Sequence, residues 1–341
     1  MSDLQVFGWL ADRTGCGQIR IMQPLDTLKR ERGIETYYNE KIWGDKPEDL
    51  PPTFVGQRVC KDGPSQLWFT LCVQKARPRM VYEVDDDLWN VDASNEGAFK
   101  WFIKGIDDDN KRHRVGGNLR RNITASDYVT CTTEPLAEIL SIFNPNVHII
   151  PNYIPRWVLD WERPRTEELT IGWSGSGTHG MDWDYNGPAI KRFLRKSEVP
   201  FRLIGGTKSQ AQIQLNLDID QVSATGWIQN VEEYWRQIDF DIAVIPLKPH
   251  VFNQSKSNIK FLEYASLGIP TVAADAGPYS SSIKHGETGF LVKRDHEWGK
   301  YLRALVEDED MRKEIGANAK EWARTMILED HIDEWKKVLV D

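Results

Sequence analysis

Cysteine is nearly absent from this sequence. The chain of 341 residues holds four, Cys16, Cys60, Cys72 and Cys131, scattered and without C-x-x-C spacing. That argues against a secreted disulfide framework and against zinc, and it points to a reducing cytoplasm. No apolar run approaches the ~18 residues that a membrane helix requires, and no basic-then-apolar leader opens the chain. Low-complexity tracts and short-period repeats are lacking too. An excess of positive charge is also missing: the net charge is −8, divided as −3 over residues 1–155 and −5 over the rest. Neither half reads as a nucleic-acid domain by overall balance. No strand–G-x-G-x-x-G–helix with an acid about 20 residues further on occurs, which disfavours a dinucleotide-dependent oxidoreductase.

What is present suits two soluble α/β domains. The length exceeds one ordinary core, and short apolar runs alternate with amphipathic stretches, the pattern of parallel sheets. Strands are expected at 4–10, 53–59, 79–84, 128–133 and 147–152, and again at 169–175, 201–206, 222–227, 241–247 and 270–275. Helices are expected at 17–32, where Pro24 would bend the chain, at 184–196, 230–237 and 257–267, and as two or three in the last 45 residues. The expected organisation is an N-terminal domain over 1–155, a linker over 156–168, and a second domain over 169–322. A terminal helix within 323–341 would pack back on the first domain. Two such domains place a ligand cleft between the carboxyl ends of their strands. Fourteen tryptophans and ten tyrosines supply faces for sugar or base stacking as well as for ordinary packing.

Residues 255–292, SKSNIKFLEYASLGIPTVAADAGPYSSSIKHGETGFLV, concentrate the chemistry. Ser255, Ser257 or Asn258 can cap a helix whose start offers free N–H groups to an anion. Lys256 adds a charge there, and Glu263 follows Lys260 by three residues on roughly the same face. A diphosphate with a ribose beside it would use all of these; a surface Lys–Glu pair would also explain them. In GWLADRTGCGQIR, residues 8–20, Gly15 and Gly17 follow the first strand, where a missing Cβ admits a ligand or simply allows a turn. VYEVDDDLW, residues 81–89, ends a strand in Asp85, Asp86 and Asp87, which repel one another unless something compensates. A catalytic or positioning carboxylate, an acceptor-hydroxyl binder, a metal ligand and a helix cap at Leu88–Trp89 all remain open for this run. The Gly/Ser loop WSGSGTHGMDW, residues 173–183, brings His179 or Asp182 toward the cleft or merely turns the chain. KRHRVGGNLRRN, residues 111–122, with Arg120 and Arg121, is either a solvated segment balancing Asp107–Asp109 or a nucleic-acid contact.

The stretches FLEYASLGIPTVAADAG and HGETGFLV resemble the donor-binding segment of the retaining GT-B glycosyltransferases, the nucleotide-sugar family that includes glycogen synthases and bacterial mannosyltransferases. In that resemblance Glu263 falls on the second glutamate of the family's E-x7-E pattern, which holds the ribose, and Ser255 stands where the first belongs. FRLIGGTKSQ, residues 201–210, resembles the glycine turn before a basic phosphate ligand, at Lys208. In TGWIQNVEEYWRQIDFDIAVIPL, residues 225–247, the Trp227–Ile228 backbone would flank the nucleobase. Where the family often carries V-Y-x-V-H, this chain has Asp85.

The resemblance implies an α/β GT-B fold, two Rossmann-like parallel-sheet domains facing each other across a cleft. It implies transfer of a sugar from a nucleotide-diphosphate sugar to an acceptor hydroxyl, with retention and without a metal or other cofactor. Lys208, Lys256, Ser255 and Asn258 would then serve the diphosphate side, Glu263 the ribose, and Gly15 and Gly17 close approach. Asp85, with Asp87, would lie at the reaction centre, and His179, Asp182, Arg120 and Arg121 on the acceptor side. The D-x-D spacing is also the metal signature of the other architecture, GT-A. The acceptor is a carbohydrate or, as in phage enzymes, a hydroxymethylated DNA base. A non-catalytic nucleotide-sugar-binding protein on the same fold is the alternative of another class.

Overall fold

A computed structural model describes residues 4–42, 50–165 and 167–341, so that one linker position, 166, lies outside the described residues. The chain divides into two compact units: Met1–Tyr153 with Ser255–Ser257 and Leu328–Asp341, and Ile154–Gln254 with Asn258–Ile327.

The first unit is built on strands β1 (Val6–Trp9), β2 (Thr36–Asn39), β3 (Thr53–Gln57), β4 (Arg79–Glu83), β5 (Tyr128–Cys131) and β6 (Val147–Ile149). All pair in parallel, in the order β2-β1-β3-β4-β5-β6. β1 and β3 are buried along their whole length, as strands with helices on both faces must be. Phe7, Phe54, Trp68, Met80, Tyr82 and Leu119 form the centre of the core. β2, TYYN, is an edge strand only partly buried, and its polar composition hides it from a reading based on apolar runs. Pro24 stands in the first turn of the α-helix Gln23–Arg32, which a π segment, Gln18–Met22, joins to Gly15–Gly17; the wider π turn accommodates the proline ring.

The helix Leu328–Leu339 belongs to this unit. Its Leu328, Ile332, Trp335, Val338 and Leu339 are buried at i, i+4, i+7 spacing. Arg32 forms a two-pronged pair with Asp333 at 2.7 and 3.0 Å, and Thr53 Oγ1 donates to the Leu339 carbonyl.

The second unit carries β7 (Ile171–Ser174), β8 (Phe201–Ile204), β9 (Val222–Thr225), β10 (Ile242–Ile245), β11 (Thr271–Ala274) and β12 (Phe290–Val292). They too are parallel, ordered β12-β11-β10-β7-β8-β9. The strand order turns back between β7 and β10, and in the first sheet between β1 and β3. Ligands of such sheets bind outside the carboxyl ends of the strands at these points. The polar stretch expected as a linker contains a helix, Arg156–Asp160, whose Val158 and Leu159 are buried. No helix among the described residues is long and apolar enough to cross a membrane.

Candidate functional site

In the first unit a buried ion pair organises the strand ends. Glu83, at the end of β4, receives Arg20 Nε at 2.7 Å and Nη2 at 3.2 Å, and it also accepts from Thr130 Oγ1. The other guanidinium nitrogen, Nη1, donates to the carbonyls of Ile150 and Pro151 and to Asn152 Oδ1, while the plane lies 5.0 Å over Trp335. One residue thus ties β4, the end of β6, the π segment and the terminal helix together.

Above this pair lies a chain of charges. Arg58 follows β3 with φ of +46°, a left-handed backbone that is costly for a side chain of this size and clusters at functional sites. Its Nη2 donates to Asp12 at 2.7 Å, and its Nε lies 3.7 Å from Asp85 Oδ1. Burial pushes the Asp85 carboxyl up, but Arg58, the Cys16 thiol and Arg20 outweigh it and hold Asp85 below the usual carboxylate range. The Cys16 thiol is pushed well up by burial and by Asp85, so it stays protonated. Asp12 also accepts from Thr14 N at 2.8 Å and Thr14 Oγ1 at 2.7 Å, folding the loop after β1. Gly17 belongs to that fold: a Cβ there would stand 1.9 Å from the Asp12 carbonyl oxygen. Gly15 differs, because a Cβ there would meet nothing within 4 Å. Only Gly15 leaves open space for an approaching ligand.

The three acids have separate situations. Asp87 is fully buried, and its carboxylate accepts from Trp89 N at 3.3 Å and Asn90 Nδ2 at 2.7 Å. Its carboxylate braces the turn after β4, so the expectation of a catalytic Asp87 does not hold. Asp86 is half-buried; burial and the neighbouring Asp85 push its carboxyl up to about 7 against the pull of Lys256 and Arg58. Among the described residues no group of three His, Cys, Asp or Glu side chains converges as a metal site.

Lys256 does not stand in the first turn of a helix. The helix begins at Ile259, and residues 255–257 cluster with the first unit, where the Ser255 carbonyl accepts from Thr133 Oγ1 at 2.7 Å and Asn152 donates to Ser257 Oγ at 2.8 Å. Ser255 itself is buried. Asn258 occupies the N-cap position, but its side chain caps nothing and instead donates to Ser282 Oγ at 2.8 Å. The expected anion site at one helix start is therefore corrected: the serines and Lys256 hold a first-unit segment, and only Asn258 onward builds the helix.

In the second unit, Ile259–Ser266 presents Glu263 inward. One Glu263 oxygen accepts from Tyr234 OH at 2.9 Å and the other from Trp235 Nε1 at 3.0 Å. Burial raises the Glu263 carboxyl above its usual range, and Lys260 and these donors draw it only partly back. Ser174, at the end of β7, joins the network through Tyr234 OH at 2.6 Å and Tyr264 OH at 2.9 Å. Lys260 Nζ donates to the Ser174 carbonyl at 2.7 Å and lies 5.2 Å over the Trp173 ring.

After Ser174 the chain runs through Gly175, Ser176 and Gly177 beside the turn at Gly205 and Gly206. Gly205 has φ of +98°, and a Cβ there would stand 2.3 Å from the Gly175 carbonyl oxygen. Together these turns border a cavity of about 300 Å³ that also meets His179, Gln210 and Ile213. His179 is held by Asp182 at 2.9 Å and abuts Trp173 edge-on. Asp182 does not reach the cavity: it is fully buried, and its other oxygen accepts from Lys248 N and Asn253 Nδ2, each at 2.9 Å. Lys208 is exposed and opens the helix Lys208–Leu215 after a Thr207 capping box. Trp227 is 55% exposed and Ile228 half-buried, just past β9.

Arginines of the first unit, among them the two expected on the acceptor side, are largely engaged within it. Arg121 donates to Gln66 and Ser65 and lies over Phe69, while Arg120 is exposed and lies over Phe143. Arg77 pairs with Asp127 through two bonds of 2.5 and 2.6 Å, and Arg79 donates to the Val338 carbonyl. Reading the sequence missed Arg20, Arg58, Asp12, Tyr234 and Ser174. A single arginine inside an apolar stretch, as in GQIRIM or FVGQRVC, was the available signal for the first two.

Residues 170–308 match the family model described as Glycosyl transferases group 1. Over 87 residues the chain is 36% identical to D-inositol 3-phosphate glycosyltransferase of Corynebacterium glutamicum (strain R); the aligned part is 25% of this chain and 20% of that relative. The fold is similar to that of WaaG, a glycosyltransferase involved in lipopolysaccharide biosynthesis, at TM-score 0.65 and 13% identity, covering 99% of this chain and 100% of that one. It is also similar to Anabaena HepE solved with UDP and glucose, at TM-score 0.62 and 14% identity over 98% of each chain. Two parallel six-stranded sheets flanked by helices are the GT-B fold of these neighbours.

Proposed function

We propose that this chain, whose residues 170–308 match the group 1 glycosyltransferases, moves a sugar from a nucleotide-diphosphate sugar to an acceptor hydroxyl, with retention and without a metal. The observation that carries the reading is the glycine-walled cavity at the end of β7. It lies at the turning point of the second sheet, inside the matched segment, beside a network that fixes Glu263 and Lys260. Transfer requires a diphosphate leaving group whose charge is met by cations, and a sugar whose anomeric carbon is held against the acceptor oxygen. Lys208 and Lys256 serve the diphosphate in this reading. Each Glu263 oxygen accepts one bond from the protein and keeps a lone pair for a ribose hydroxyl. Asp85, fixed by Arg58, lies at the reaction centre. Four free cysteines, three of them buried, suit a reducing cytoplasm.

The acceptor in this reading is a carbohydrate. Pairing of Arg77 with Asp127 and of Arg121 with Gln66 and Ser65 supports it over duplex DNA, whose phosphates need uncommitted cations.

The test is calorimetric titration with UDP, GDP, TDP and ADP and their sugars, UDP first because HepE was solved with it. Turnover in excess EDTA and the anomeric configuration of the product by NMR follow. Binding of one nucleoside diphosphate, EDTA-resistant turnover and a retained anomer are expected. Failure of every nucleotide sugar to bind overturns the reading, and an inverted product or a manganese requirement overturns the corresponding clause. An electrophoretic shift that is tight at about 50 mM salt and lost at about 200 mM would make DNA the acceptor instead.

A further inference from the structure

We propose that the groove between the helices Gly180–Ser197 and Asp295–Glu307 is a second ligand site, which takes a phosphate group carried on an apolar body. It is a cavity of about 540 Å³, within the size range of small-molecule sites, and it shares no lining residue with the glycine-walled cavity. The first of the two helices borders both. Gly180 and Trp183 at its start meet the glycine-walled cavity, while Ala189, Arg192, Phe193 and Lys196 in its second half line the groove. Their spacing of three, four and seven residues puts all four on one side of the helix. His296, Gly299, Arg303 and Val306 form the other wall by the same spacing.

Charge and space both point to a ligand. Arg192, Lys196 and Arg303 are exposed, and no hydrogen bond or ion pair engages them among the described residues. Residues 156–341 carry a net charge of −5, and elsewhere in the unit Lys313 and Arg324 pair with Glu309 and Glu321. Arg303 makes no such pair with Glu307, although four residues on a helix allow one. Arg192 and Lys196, also four apart, repel each other. Helix stability accounts only for Lys196, which stands in the last turn, where a cation is favoured. Asp295 and Glu307 also line the groove, but they are the first and last residues of their helix, about 18 Å apart. A phosphate among the three cations would meet charge-assisted donors from both walls. The space comes from Gly299. A glycine inside a helix weakens it, and packing does not require one here: a Cβ would meet only Phe193, at 4.0 Å, an ordinary contact. The gap opens onto the buried Phe193 and the half-buried Val306, an apolar floor that inorganic phosphate would leave unused. Such a ligand is either a soluble phosphate ester or the headgroup region of an anionic lipid.

Inorganic phosphate and phenyl phosphate are the soluble probes, titrated calorimetrically at low salt. Vesicles containing phosphatidylglycerol, with pure phosphatidylcholine as the control, are the lipid probe, followed by co-sedimentation. Phenyl phosphate should bind more tightly than inorganic phosphate, because only the ester reaches the apolar floor. Arg192→Ala/Arg303→Ala should weaken binding roughly 10- to 100-fold with an unchanged Tm, since neither side chain has a partner to lose. Gly299→Leu fills the groove with a better helix former and should abolish the preference for the phenyl ester. Lys208→Ala should leave this binding event intact, which separates it from binding at the proposed donor site. Phosphatidylglycerol binding that the double variant loses identifies a lipid headgroup as the ligand. Phenyl phosphate binding that the double variant loses, without vesicle binding, identifies a soluble ester. Equal binding by wild type and double variant for every probe overturns the proposal, as does no binding of any probe or loss of the event in Lys208→Ala.

Discussion

Two glycines two residues apart carry opposite expectations. Gly17→Ala drives a Cβ into the Asp12 carbonyl, so the loop after β1 must shift and about 1–3 kcal/mol of stability should go. Gly15→Ala meets open space and should fold normally while weakening whatever ligand approaches there. Thermal melts and calorimetry on the pair check this: equal Tm losses, or a Gly15 variant with unchanged ligand affinity, would contradict it. Arg20 and Glu83 make the sharper stability case. Glu83→Gln leaves a buried guanidinium without its counter-charge, which costs about 3–5 kcal/mol. Denaturant unfolding of that variant should show the loss.

At the scale of elements, the second-unit site depends on two closely packed turns. Gly205→Ala combines a left-handed φ with a collision at Gly175, and so should both destabilise the unit and displace the cavity wall. Its nucleotide affinity should fall with its stability. Lys208→Ala should lower affinity alone. The side chain is exposed at a helix start, so its removal takes one cation from the diphosphate and weakens binding roughly 10-fold or more while Tm stays put. Calorimetry beside a melt separates the two variants, and an unchanged Lys208→Ala affinity would remove that residue from the donor site.

For the molecule as a whole, the terminal helix is the informative element. Leu328–Leu339 lies at the end of the chain yet completes the first unit, supplying Trp335 beneath Arg20 and four further buried apolar side chains. At roughly 1.5–3 kcal/mol for each fully buried side chain, its removal approaches the ~5–15 kcal/mol that holds a whole domain. A chain ending at Ile327 should therefore lose the first unit to limited proteolysis while residues 154–327 survive. Equal protection of both units would show that the helix is dispensable.

Ten of the twelve strands among the described residues were legible in the sequence, because parallel strands buried on both faces, such as IAVI and TVAA, must be apolar runs. Two were not: TYYN is a polar edge strand only partly buried, and FLV, though apolar and buried, is three residues long and closely follows a turn. The family resemblance singled out Glu263, Lys208 and the glycine turn by local spacing; in the structure Gly205 and Gly206 border the cavity, Glu263 joins the buried Tyr234–Trp235 network, and Lys208 is exposed at a helix start. Local spacing failed at SKSN, where Lys256 appeared to open a helix but belongs to the first unit, and at D-D-D, where three identical side chains have three environments. The roles of Asp12, Arg20 and Arg58 were decided by tertiary structure alone. Each meets at least one partner 46 or more residues away, and a charge can be buried only where such distant partners converge.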